Sequence, residues 1–515
     1  MSKTTGASAR RIALFVALLV GGAPPSVAPA AGVPIVVGSM SHRSDAPERW
    51  AGYEIPRNGR ADGGWIGGYL VDGTPIFVTT PTKDANRQGY RRARIVDDLG
   101  GPRGATHRET ARAAWILSKY GGYRDAAQAA AVDVSVYALV VGGRWRPRGD
   151  RGARRIREAP GSATVRRFAR IMLDQSRRQA GRYRARVSAT STDAGGTITS
   201  TVTVTDGQGR PAAGLPVTLV ATGAQPIDAV TGDNGSAVAR FAESQAGWKT
   251  VTATVRSVPE HRLHLRPPVR RDQATAAEGG IRRTLVATTR TAVRGPQAVA
   301  LQASPATVSV RSPARVTATV TGDGTSRAAK GTLYGPFGSA SAAQCAGPAV
   351  GAGSTSVSVD GDYTLPSQVP EAPGYYIWDV TVDGTPTALP VTGCGAVTTV
   401  KAVPTVSLTA LGPEMHPGTA EVRVGLSGLP RYPAVSVNLS VRGPYPTQQE
   451  LTATGCSGAI ATSVDQKMNG DATVTLYPYV DQTGWYALLA TVPAGELHQG
   501  SQSVCLALGT VLHVS

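Results

Sequence analysis

The sequence predicts a mainly β chain: an α+β domain at the front and three β-sandwich domains behind it. Three observations carry that prediction. Gly (61) and Pro (36) are abundant, whereas aromatic residues make up 5% and charged residues 17%, a composition that favours short strands joined by turns over helical bundles. Helical spacing of apolar residues is confined to the stretch before Arg184, after which the pattern alternates. The C-terminal segments contain one pattern twice, and 515 residues are enough for several separate cores.

Residues 1–30 read as a secretory leader. Arg10 and Arg11 precede an apolar run from Ile12 to Val20, and Ala28-Pro29-Ala30 supplies a small-x-small cleavage site. That run is too short for a permanent membrane helix, and no second hydrophobic span is read after it. The expectation is an extracellular protein, released or loosely held at the cell surface. Residues 31–48 read as a flexible tail.

The α+β domain is expected over 49–183. GGWIGGYLVDG and TPIFVTTP read as strands around a turn at Val71-Asp72-Gly73. A helix is predicted from His107 to Tyr120, stopped by Gly121-Gly122. Asp125 is the N-cap candidate of a second helix, DAAQAAAVDVSVYALV, whose Ala129, Val132, Val136 and Val140 share a face. Asp133 falls on that apolar face, where an ionised, unpaired carboxylate would cost several kcal/mol, so it needs a partner or a raised pKa. A third helix is predicted from Ser162, as cap, to Ala180.

The net charge is +18, and 14 Arg stand between Arg144 and Arg184 against Asp150, Glu158 and Asp174. Arg144, Arg146, Arg148, Arg154, Arg155, Arg166 and Arg167 form a candidate patch for an acidic polymer. The plainer alternative is a solvated helix face and an Arg-rich loop. No aromatic residues are interleaved as a stacking platform, so no specific nucleic acid is expected.

Residues 184–258 alternate with frequent turn signals, Asp206-Gly207-Gln208-Gly209 among them, and suggest an immunoglobulin-like β-sandwich. Residues 259–298 read as a linker or an extra strand. Residues 299–401 and 402–515 carry the repeat. In each an aromatic follows Gly-Pro (Phe337, Tyr445), a Gly precedes two aromatics (GYYIWDVTV, GWYALLATV), and two cysteines stand 49 apart. The four cysteines of a secreted chain point to disulfides, and of three connectivities the repeat favours Cys345–Cys394 with Cys456–Cys505.

The block from Trp50 to Ala180, above all RAAWILSKYG and the Ala-rich helix after it, resembles the Cys-Gln thioester domains of Gram-positive, particularly actinobacterial, surface proteins. In that family a cysteine in an aromatic-Cys-aliphatic-acidic motif is acylated by a glutamine in an aliphatic-Gln-x-x-aliphatic-aromatic motif. Here the motifs align with Phe77-Val78-Thr79-Thr80 and with Val132-Asp133-Val134-Ser135-Val136-Tyr137. Valine has no nucleophile and a carboxylate is a poor acyl donor, so the resemblance implies a degenerate domain whose thioester is lost at Val78 and Asp133. It also implies that Asp133 lies beside Val78, bonded to Thr79 or Thr80 or paired with an Arg. Residues 184–256 are similar to the immunoglobulin-like stalk domains of adhesins, and the cysteine-paired repeat resembles a module of actinobacterial thioester-domain proteins.

No GxSxG elbow, HExxH or phosphate loop is present, and His261 and His264 are the only neighbouring histidines. No catalytic residue, metal or cofactor is expected. Lys249 reads as an ordinary strand lysine, the alternative being an isopeptide bond to an Asn or Asp. The function expected is non-covalent adhesion, display or a structural role at the cell envelope, with a cell-wall, matrix or acidic polymer as partner. A hydrolase with a dispersed site and a polyanion-binding protein are the alternatives.

Overall fold

The structure, a computed structural model, describes residues 47–56, 64–85, 88–99, 105–429 and 434–515. The leader and nearly all of the tail before residue 49 lie outside the described residues. The chain is mainly β, as its composition requires.

The front domain opens with β1 (Glu48–Ile55), β2 (Gly64–Val71) and β3 (Thr74–Val78), paired antiparallel in turn. Asp72 and Gly73 turn β2 into β3 with φ of 49° and 70°, the positive φ values a two-residue hairpin needs. β4 (Arg94–Val96) follows. Four helices come next: α1 (His107–Tyr120), α2 (Ala126–Val140), α3 (Asp150–Glu158) and α4 (Ser162–Gln179). Thr106 and Glu109 cap α1 reciprocally, and the Asp125 side chain accepts from Gln128 N at the start of α2.

Instead of one apolar stripe, α2 is buried on every side from Ala129 to Leu139, as befits the central helix of a domain. It packs against α1 and α4 and across β1 and β2. Two expectations fail nearby. The stretch read as an Arg-rich loop holds α3, whose inward face is Gly152, Arg155 and Ile156. Ser162 is the first residue of α4 rather than its cap; Gly161, at φ 71°, holds the N-cap position without a side-chain bond.

From Arg184 the sandwich begins. β5 (Arg184–Ala189), β6 (Thr192–Asp193), β7 (Thr197–Thr205), β8 (Pro216–Ala221), β9 (Ile227–Val230), β10 (Ser236–Ala242) and β11 (Gly247–Pro259) follow in chain order. The chain then leaves the sandwich. β12 (Leu263–Arg266) and β13 (Ala276–Glu278) enter the front domain's sheet, which runs β1-β2-β3-β13-β12-β4. β14 (Arg282–Arg294) returns and pairs along β11, from Gly247↔Val293 to Pro259↔Arg282. Residues 259–298 thus contain three strands. The head is built from two pieces of chain, and β4 reaches its sheet only through β12.

That return brings Gly279 against Gly121. A Cβ on Gly121 would lie 2.8 Å from the Gly279 Cα, so the glycine that stops α1 is also required by the crossing strand.

The second domain's sheets, β10-β7-β5 and β6-β14-β11-β8-β9, face each other over Val202, Val204, Leu219, Val251 and Val255. The two later domains repeat this arrangement with separate cores around Trp378 and around Tyr486. In all three a short early strand pairs parallel with the domain's last strand: β6 with β14, Thr307–Ser309 with Val391–Lys401, and Glu414–Met415 with Val511–Val514. These are immunoglobulin-like sandwiches. The repeat is visible atom by atom: Phe337 stands opposite Tyr375 and Tyr445 opposite Trp485. The Tyr376 and Tyr486 hydroxyls each donate, at 2.7 Å, to the carbonyl four residues upstream. The disulfides are Cys345–Cys394 and Cys456–Cys505. Among the described residues no helix is long and apolar enough to cross a membrane.

Candidate functional site

Val78, at the end of β3, is buried in a cluster with Tyr137, Trp145 and Ala274. Asp133 lies one helical turn before Tyr137 on α2 and is 2% exposed. Of its expected partners it takes an arginine: Arg155, on the inward face of α3, donates from Nη2 to the Asp133 carboxylate. Thr79 is engaged elsewhere, its Oγ1 donating to Thr275 O at 2.9 Å. The Gly67 N–H also donates to Asp133, while Arg155 reaches Trp65 O at 3.2 Å and lies 4.7 Å from the Tyr137 ring centroid.

The electrostatics follow from this burial. Removal from water pushes the Asp133 carboxyl upward, and Arg155 and the Gly67 N–H pull it partly back. Burial works against the Arg155 charge too, but Asp133 beside it outweighs that and holds the guanidinium protonated. Burial, reinforced by Asp133, raises Tyr69 and Tyr137 far above the ordinary phenol range. Both remain O–H donors rather than nucleophiles. The arrangement neutralises charge inside the head and offers no acyl-transfer chemistry.

Arg155 is therefore removed from the candidate polyanion patch, because a side chain buried against Asp133 presents nothing to a polymer. The patch retains Arg146, Arg148, Arg154, Arg166 and Arg167, all exposed. Arg144 is exposed as well but is engaged by Asp150, whose carboxyl it holds at about 2.

Sequence reasoning missed the cleft next to this centre. A separate cleft of about 850 Å³ lies at the joint of the last two domains; the one beside the head's buried pair encloses about 730 Å³. Arg49, Glu54, Trp65, Tyr69 and Asp84 line it. Trp65 and Tyr69 have ring centroids 6.4 Å apart, and Arg49 lies 5.0 Å above the Trp65 ring. Tyr69 connects cleft and centre, lining the first while its hydroxyl senses Asp133 and Arg155. Paired rings with charges of both signs suit recognition by stacking and hydrogen bonding. The signal in the sequence was GGWIGGYL, which sets two aromatics four residues apart on one face of a glycine-rich strand.

Two further buried ionic groups hold the head and the second domain. Glu260 accepts from His261 N at 2.8 Å and Arg262 N at 3.2 Å, and its own N–H donates to Ser118 Oγ. Burial alone would raise its carboxyl, but hydrogen bonds from His261 and His264 prevail and hold it well below the carboxylate range. Lys249 meets Glu243 at 2.9 Å, both buried, so its partner is neither of the residue types considered from sequence. No group of three or more His, Cys, Asp or Glu is placed to hold a metal among the described residues.

No family model matches the chain, and no curated protein matches it. Among solved structures it is similar to FdeC, described as a broadly conserved Escherichia coli adhesin, at 15% identity over 65% of this chain and 97% of that one, with a TM-score of 0.26. Invasin, a bacterial integrin-binding protein, gives 16% identity over 65% and 60%, at 0.24. A marsupial T cell receptor gives 11% over 62% and 98%, at 0.27. At scores this low the likenesses are recorded as similarity alone.

Proposed function

We propose that this chain is a non-covalent binding protein of the cell envelope, its head presented on three immunoglobulin-like domains, and that the head is a degenerate thioester-type domain. The observation that supports this most is the Asp133–Arg155 pair. Where a thioester would need an acyl donor facing a thiol, a carboxylate is neutralised by a buried guanidinium, and the aligned cysteine position, Val78, packs in the cluster that holds Tyr137. Recognition then falls to the Trp65–Tyr69 cleft, which adjoins that centre. With both cysteine pairs closed and no free cysteine, no thiol remains for covalent attachment.

The test is the intact mass of the chain after incubation with methylamine, and after incubation with cell-wall and matrix polymers followed by a denaturing wash. The expected result is an unchanged mass and complete release. A methylamine adduct, or chain retained through the wash, overturns the reading.

A further inference from the structure

A second cleft, of about 340 Å³, lies where α1 of the head meets the second domain. Its walls come from both: Trp115, Lys119 and Tyr123 from the head, Pro211 to Leu215 from the loop after β7, and Pro259 and Arg282 from the two strands that link the domains. Its volume is in the range of small-ligand sites. Its floor and one side are apolar, made by Trp115, Ala212 and Leu215, all buried. Tyr123 stands at the rim, 53% exposed.

The polar groups of this cleft are nearly all donors. The Lys119 ammonium lies 4.8 Å from the Trp115 ring centroid and is half-buried. Burial and the neighbouring Arg282 charge both lower its pKa, so the two cations press on each other. Among the described residues neither Lys119 nor Arg282 has a carboxylate within salt-bridge reach. The Tyr183 hydroxyl accepts from Trp115 Nε1 at 3.1 Å and so has its own proton to give. The one acid in the lining, Asp206, is turned to its own loop, where its Oδ1 accepts from Gln208 N at 2.8 Å and Arg210 N at 2.9 Å. Lys119, set over the Trp115 and Tyr120 rings, and Arg282 line one cleft, and an anion bound between like charges relieves their repulsion.

We infer that this cleft is a binding site for a carboxylate-bearing sugar, a hexuronate unit. Lys119 and Arg282 hold the carboxylate, Tyr183 donates to a ring hydroxyl or the ring oxygen, and Tyr123 closes over an apolar face of the ring. The site stands apart from the Trp65–Tyr69 cleft and does not depend on the adhesin reading. Because its walls belong to two domains, an occupant also ties the head to the second domain.

The experiment is a calorimetric or NMR titration of the full chain with glucuronate, with glucose and inorganic sulfate as controls. Glucuronate is expected to bind, with glucose and sulfate at least tenfold weaker. Lys119→Gln and Arg282→Gln are each expected to weaken glucuronate about tenfold, while the melting temperature of unliganded R282Q is expected at or above that of the parent, because Arg282 is exposed and its removal relieves the repulsion on Lys119. Bound glucuronate should raise the melting temperature of the parent and not that of R282Q. Equal response to glucuronate and glucose, sulfate binding as tightly as glucuronate, or unchanged affinity in R282Q would overturn the assignment.

Discussion

Arg155 and Asp133 form a salt bridge in the interior of the head, with side chains 7% and 2% exposed. They come from α3 and α2, and the guanidinium also reaches the Trp65 carbonyl on β2. One ion pair thus fastens two helices to the sheet.

Removing one partner of a buried pair leaves the other charged and desolvated. Asp133→Asn and Arg155→Met are each expected to destabilise the head by about 3–5 kcal/mol, whereas the double change Asp133→Leu with Arg155→Met should lie within about 1 kcal/mol of the parent. Denaturant melts of the four proteins give the answer. A double variant as unstable as the singles would mean the pair does more than neutralise itself.

The same reasoning applies to Lys249 and Glu243, one of whose oxygens, Oε1, has no hydrogen-bond partner. Lys249→Met should cost about 3 kcal/mol or more, and it should act on the second domain's unfolding step. Peptide mapping is expected to recover Lys249 and Glu243 as separate, unmodified side chains. A cross-linked peptide would contradict the ionic assignment.

Glu260 predicts a pH dependence. Its folded pKa lies below the ordinary value of 4.5, so the unfolded chain binds the extra proton in acid and stability rises with pH through that window. The contribution is complete above about pH 4.5 and is lost as pH falls toward the folded value. Glu260→Gln should therefore flatten the decline in melting temperature below pH 4.5 and leave the shape of the curve above it unchanged. An acid limb of the same slope in both proteins would contradict this.

Each disulfide closes a loop of 49 residues, worth about 4 kcal/mol in the chain-entropy model. Replacing Cys345 and Cys394 by Ser should lower the third domain's stability by roughly 2–4 kcal/mol and leave the fourth domain's melt in place. A shift of both transitions together would mean that the domains unfold as one unit.

Much of this architecture was legible because local signals agreed with the fold. Tyr120 and Gly121 ended α1 where periodicity and glycine both said so, and the equal spacing of Cys345–Cys394 and Cys456–Cys505 exposed the repeat. What escaped was long-range. α3 reads as loop because seven of its nine residues, DRGARRIRE, are charged or glycine, yet Gly152, Arg155 and Ile156 mark a helical face whose arginine had to find Asp133. β12 and β13 were obscured because they are short strands that pair with a sheet built from residues far earlier in the chain. Nothing local tells a four-residue strand which sheet it will join. The Trp65–Tyr69 cleft was invisible for a related reason: a cleft is made by what surrounds a strand, not by the strand.

The measurement that tests the central claim most directly is binding of the full chain and of its Trp65→Ala variant to immobilised cell-wall, matrix and acidic polymers, at about 0.1 and about 0.5 M salt. The account predicts salt-resistant, fully reversible binding to one component, weakened at least tenfold by W65A in a protein that still melts cooperatively. Binding to acidic polymers alone, abolished by the higher salt and indifferent to W65A, would contradict it and leave the exposed set of Arg146, Arg148, Arg154, Arg166 and Arg167 as the contact surface.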